Sequence, residues 1–285
     1  MLAFFKNLDR RWIFLGMFLA VLVPLITQQT FPEFPSLLVQ NSFDAVENLP
    51  SGSKVLLAMD YDPASEGELA PMATAFVRHL CEKKHKIYFI ALWPVGSQMI
   101  QQIIDREIKI NYPEMRYGED YVNLGYKSGN EGVIKVIVTD LKKLYTVDFQ
   151  GTSLNNIPMT KNIKSIQDMD FLLNVSAGYP GTKEWVQYAT TPYPKLKMVS
   201  GCTGVQAPLF YPYIPNQLLG MLGAIKGAAE YEKALSTKYP KFASKELNEG
   251  LRRMAPQLWA HILILVLIII GNMVYFAERR KGAAR

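Results

Sequence analysis

Residues 257–276, QLWAHILILVLIIIGNMVYF, are twenty consecutive residues without Asp, Glu, Lys or Arg. A helix rises about 1.5 Å per residue, so a stretch of that length matches a hydrocarbon core of roughly 30 Å. Lipid offers no partner to backbone N–H and C=O groups, so the stretch is read as a transmembrane helix. Near the other end, residues 12–27, WIFLGMFLAVLVPLIT, are shorter and contain Pro24. No small-x-small cleavage pattern follows, and the segment is read as a retained anchor rather than a secretory signal.

Charge gives the two spans a direction. Lys6, Arg10 and Arg11 precede the first span and Arg279, Arg280, Lys281 and Arg285 follow the second, against only Asp9 and Glu278. These tails carry net +5 of the chain's net +6, which leaves +1 for everything between them. The basic balance therefore points to membrane topology and excludes a basic nucleic-acid surface. The expected layout is a two-pass cell-membrane protein. Tails 1–11 and 277–285 lie in the cytoplasm, and the main domain is periplasmic or extracellular. Its expected partners are the lipid bilayer and other integral membrane subunits. Lys238, Lys241, Lys245, Arg252 and Arg253 before the second span blunt the bias there, so orientation rests mainly on the first span, which residues 28–47 follow without Lys or Arg. Residues 241–256 are expected to form a basic amphipathic juxtamembrane helix.

Between the spans, residues 28–53 read as a connector. Phe31, Pro32, Phe34 and Pro35 keep the chain extended, and one amphipathic helix fits residues 36–49. Residues 54–240 then alternate apolar runs with helical patterns. Val55 to Met59 form a continuous apolar run, as expected of a strand covered on both faces. Further strands are expected at residues 87–92, 121–125, 171–175 and 196–199, with residues 146–167 as a surface connection. Five strands alternating with helices imply an α/β domain with a mostly parallel, Rossmann-like sheet. The simplest strand order is 2-1-3-4-5. In fold the domain resembles flavodoxin-like domains or one lobe of a periplasmic binding protein.

In such sheets ligands gather at the carboxyl ends of the strands. The candidate ligand-binding residues are therefore Asp60, Asp62 and Ser65 after the first strand, Trp93 after the second, and Tyr126, Lys127, Ser128, Gly129 and Asn130 after the third. Ser176 and Gly178 follow the fourth strand, and Ser200, Cys202 and Thr203 the fifth. A small anionic or sugar-like ligand would suit this mixture of hydroxyls, amides and one lysine. No cofactor is identified by a motif. The glycines are turn-formers rather than a G-x-G-x-x-G, and three histidines with two cysteines show no metal-ligand spacing. Cys202 has no histidine placed to activate it.

Asp60-Tyr61-Asp62 after an apolar strand resembles the first motif of haloacid-dehalogenase-type phosphatases. The resemblance implies a nucleophilic first aspartate, an acid at the second, and magnesium between them. It covers under a dozen residues, and the later strands end in Ser176 and Ser200 where that family has a carboxylate pair. Candidate partner-binding residues are Phe210, Tyr211 and Tyr213 in an aromatic loop. Gly220, Gly223 and Gly227 form a small-residue ridge on an expected helix at residues 218–235. The expectation that follows is a ligand-sensing or scaffolding subunit of a membrane complex. The alternative is a membrane-anchored enzyme acting on a phosphorylated or glycosylated substrate.

Overall fold

The computed structural model describes residues 9–283, leaving Lys6 and Arg285 of the basic tails outside the described residues. The chain divides into two compact units, one formed by residues up to Pro32 together with those from Leu251, the other by Glu33–Gly250. In the first, α1 (Arg10–Thr27) and the apolar part of the long C-terminal helix are each long and apolar enough to cross a membrane. Their large side chains point outward, among them Phe14, Phe18, Leu265 and Ile269. Where the two helices meet, Gly16 lies against Leu263 and Trp259 Nε1 donates to Gln29 Oε1 at 3.1 Å.

The second unit is a three-layer α/β domain. In chain order it holds α2 (Leu37–Glu47), β1 (Lys54–Asp60), α3 (Glu66–Glu82), β2 (Lys86–Ala91) and α4 (Gly96–Ile103), which runs on through a π-helical turn at Ile104–Ile108. Then follow β3 (Tyr121–Tyr126), α5 (Glu131–Ile137), β4 (Phe171–Ser176), α6 (Thr182–Trp185), β5 (Lys197–Cys202), β6 (Gly220–Gly223) and α7 (Ala224–Lys238). The long helix α8 (Glu249–Ala283) starts at the end of this unit. Residues 241–248 form two short 3-10 turns rather than the expected start of one amphipathic helix.

All strand pairings are parallel, in the order β3-β2-β1-β4-β5-β6. The sheet thus has six strands, not five, and its order is not 2-1-3-4-5. The β4 sequence FLLNVS, buried at every position, lies beside β1, while β3 forms an edge although it too is buried up to Gly125. The sixth strand comes from the stretch expected to begin a helix. Gly220 to Gly223 pair with Val199 to Cys202, and the turn into α7 is made at Ala224 with φ +57°.

Helices cover both faces. On one, Leu56, Ile90, Leu172 and Met198 pack with Ile134 and Trp185. Residues 146–167 are no surface connection, since Leu154, Ile157, Ile163 and Ile166 join this core. On the other face α3 and α7 pack along each other. The backbones meet most closely where α2 crosses β6. A Cβ added at Gly220 would sit 2.4 Å from Ser42 Oγ and 2.5 Å from Leu38 O. Gly220→Ala should therefore lower stability by about 2–3 kcal/mol through overpacking, whereas Gly132→Ala, in α5 with open space around it, should raise it by about 0.5–1 kcal/mol. Thermal unfolding of the detergent-solubilised chain checks both, and equal midpoints for the two variants would refute the α2–β6 contact.

Candidate functional site

Because every strand runs the same way, all six carboxyl ends share one edge of the sheet. Register sets which side chains face together there. Ala58 pairs with Asn174 and Asn174 with Ser200; one rung on, Asp60 pairs with Ser176 and Ser176 with Cys202. Strand side chains alternate between faces, so Asp60, Asn174, Ser176, Ser200 and Cys202 all point to the same side.

Helix α6 closes over that side. Thr182 Oγ1 donates to Asn174 Oδ1 at 2.8 Å and lies 2.6 Å from Ser200 Oγ and 3.0 Å from Ser176 Oγ. The Thr182 N–H donates to Ser176 Oγ at 3.0 Å. Asn174 passes the chain of bonds on, its Nδ2 donating to Asp60 Oδ2 at 2.8 Å. The same oxygen accepts Trp185 Nε1 at 2.8 Å, and Asp60 Oδ1 accepts the Leu92 N–H at 2.7 Å. Asp60, Asn174 and Ser200 have no exposed surface.

Burial raises the Asp60 carboxyl, and bonds from Leu92, Trp185 and Asn174 lower it, for a net value of about 7. Its neighbours are all donors, so its chemistry here is to accept. A nucleophile needs an open approach that Asp60 lacks. Asp62 accepts the Ser65 N–H at 3.1 Å, and Ser65 makes no side-chain cap bond of its own. The two aspartates serve the strand end and the helix start respectively. Above them, half-buried Trp93 donates its Nε1 to Pro180 O at 2.8 Å, and its ring lies 3.6 Å from where a Gly178 side chain would begin. This indole bridges the loops after β2 and β4, over the point where strand succession reverses.

The remaining candidates do not form one group. Lys127 lies 5.5 Å from the Tyr145 ring centre, with Tyr126 partly buried beside it, while Ser128, Gly129 and Asn130 are exposed. Cys202 and Cys81 are free and buried; burial and nearby Glu68 push the Cys202 thiol up to about 12, so it is protonated and unreactive. The buried Thr203 hydroxyl has no hydrogen-bond partner. Among the partner candidates, Phe210 is buried, Tyr213 half-buried and Tyr211 exposed. The glycine ridge is not one helix face: Gly220 and Gly223 are in β6, and Gly227 brings α7 against the backbone of Leu222. Among the described residues no three His, Cys, Asp or Glu side chains cluster as metal ligands.

Sequence reasoning missed Asn174, Thr182 and Trp185. The signal was an asparagine two residues before Ser176 in an otherwise apolar strand, a period-two polar pair. It also missed a second buried cluster, in which His79 Nδ1 is 2.6 Å from Tyr231 Oη and His79 Nε2 is 2.9 Å from Glu47 Oε2. The Tyr239 hydroxyl donates to the same Glu47 oxygen at 2.8 Å. Phe43 stacks on the His79 ring, so α2, α3 and α7 are joined at one point. Burial pulls His79 down to about 4, against the raising effect of Glu47. The chain matches no known family model, curated protein or solved structure.

The two buried groups set opposite pH slopes. Asp60 is raised above its ordinary 3.8, so its contribution is complete below that value and is lost as pH rises through about 7. His79 is depressed from 6.5, so its contribution is complete above that value and is lost as pH falls toward about 4. Bonds from His79 and Tyr239 hold Glu47, and bonds from Ser36 and Lys226 hold Glu230, below the usual carboxylate range against the raising effect of burial. His85 is lowered by burial too and acts in the same sense as His79, so the wild-type midpoint between about pH 5 and 6.5 is set by Asp60 against the two histidines. Asp60→Asn, which removes the group whose contribution falls with pH, should gain stability as pH rises over that window. His79→Gln should shift the slope downward relative to the wild type. Melting midpoints against pH check this, and parallel curves for the two variants would refute it.

Proposed function

We propose that the chain is a two-span membrane protein whose α/β body lies outside the cytoplasm and serves as a scaffolding subunit of a larger membrane assembly. The observation that supports this reading over catalysis is the inward commitment of the strand-end polar groups. Asp60, Asn174, Ser176, Thr182 and Ser200 bond to one another beneath α6. The order β3-β2-β1-β4-β5-β6, in which strand succession reverses beside β1, supports reading the body as Rossmann-like. Its first turn is nonetheless ill-suited to a pyrophosphate. The loop from Asp60 to Ser65 contains no glycine, and α3 opens with Glu66 and Glu68, like charges where a phosphate would seek the helix N-terminus. Anionic ligands are thus disfavoured at this turn. Lys127, Ser128 and Asn130 remain available to a polar ligand at the outer edge.

The basic tails support this orientation, and the outward apolar side chains of the two spans are open to other helices as well as to lipid. Isolation of the full chain in mild detergent should recover other integral membrane proteins in fixed stoichiometry. Protease added to intact cells lacking a wall or outer membrane should cut within the α/β body and spare both tails. A monodisperse single chain in several mild detergents would overturn the scaffold reading, and a protected body would overturn the orientation.

A further inference from the structure

We infer that the loop between β5 and β6, residues 203–219, is a lipid-contacting surface of the domain. The loop has seventeen residues and no Asp, Glu, Lys or Arg. Its construction separates two sets of apolar side chains. Ala207 and Phe210 turn inward and are buried, whereas Val205 is 84% exposed, Leu209 58% and Tyr211 54%. Inward anchors hold the loop in shape, and two 3-10 turns, Ala207–Leu209 and Tyr211–Tyr213, carry Pro208 and Pro212. A surface fixed in this way loses little conformational freedom on docking.

The occupant is indicated by where the domain's own chain ends lie. At the entry, Glu33 meets Lys226 Nζ at 3.1 Å, and the Ser36 N–H and hydroxyl donate to Glu230 Oε2 at 2.9 and 2.5 Å. At the exit, the Gly250 N–H donates to Glu232 Oε1 at 3.0 Å, and its backbone lies against Ala228 and Ala229. All these partners lie within the first nine residues of α7, between Lys226 and Glu232. The base of the loop rests on the start of the same helix, since a Cβ at Gly204 would lie 3.2 Å from Ala224 Cβ and one at Gly223 would lie 3.2 Å from Ala207 Cβ. The segments leaving Glu33 and Gly250 lead to the two apolar helices. The uncharged loop therefore stands at the end of the domain from which both tethers depart. Apolar side chains with tyrosine beside them suit the boundary between headgroups and acyl chains, and an uncharged loop should dock without regard to lipid charge.

The test uses the full chain reconstituted in phosphatidylcholine vesicles, with a nitroxide on cysteine introduced by Val205→Cys or Leu209→Cys. Native Cys81 and Cys202 are buried, and the unsubstituted chain gives the labelling background. Ile110→Cys, at a 69% exposed position on the opposite edge of the sheet, is the aqueous control. Labels at 205 and 209 should collide with oxygen at least fivefold more, relative to a water-soluble nickel chelate, than the label at 110. The ratio should be unchanged when a third of the lipid is made anionic or salt is raised to 1 M. Labels at 205 and 209 that read like the control would overturn the proposal. So would labels shielded from both reagents, which would identify a protein, not lipid, as the cover. The result is independent of which side of the membrane holds the domain.

Discussion

The domain depends on one buried carboxylate. Asp60 ends β1 with no exposed surface, a position that is tolerable only because three donors converge on it from three other parts of the chain. Leu92 follows β2, Asn174 is in β4 and Trp185 is in α6, so the carboxylate ties the centre of the sheet to the helix above it at the point where strand succession reverses. Ladder hydrogen bonds cannot do this, because they stop at the strand ends. An apolar residue of similar size would leave the Leu92 and Trp185 N–H groups without acceptors and the Asn174 amide with only Ala58 O, so the network specifies this arrangement as well as stabilising it.

That commitment shapes what the rim can do. In an open α/β sheet the carboxyl edge is where side chains are normally free to meet a ligand. Here the polar groups of β1, β4 and β5 are used within the domain, Trp93 bridges the loops above them, and the turn into α3 is acidic. What faces outward is a short polar loop after β3 and an uncharged apolar loop after β5. The edge is thus built for rigidity at its centre and for contact at its periphery.

The alternation of apolar runs and polar loops made the α/β class, the parallel sheet and the positions of the first five strands legible in the sequence. Two features hid the rest. Gly220 to Gly223 carry no β-branched residue and run into a helical pattern, so their strand character comes only from pairing with β5 and from the cover provided by α2. Strand order was illegible because continuous burial marks both β1 and β4 as central, while local pattern cannot say which strand lies beside which. At the rim, chain position showed which residues reach the carboxyl edge but not which way they point. Asp60, Ser176, Ser200 and Cys202 share one face with Asn174, and that face is closed by Thr182 and Trp185, whose role only the register discloses.

Both ends of the α/β domain are fastened to α7. Entry and exit are fastened to the same helix, through Glu33 and Ser36 on Lys226 and Glu230, and through Gly250 on Glu232. Glycine at 250 allows backbone-to-backbone approach to Ala229, as glycine at 220 does between α2 and β6. At its other end α2 is fixed to α3 and α7 by the bonds among Glu47, His79 and Tyr231. Entry, exit and the α2–α3 junction therefore meet on one helix, and none of these contacts involves β1 or β4, the strands that hold Asp60 and Asn174.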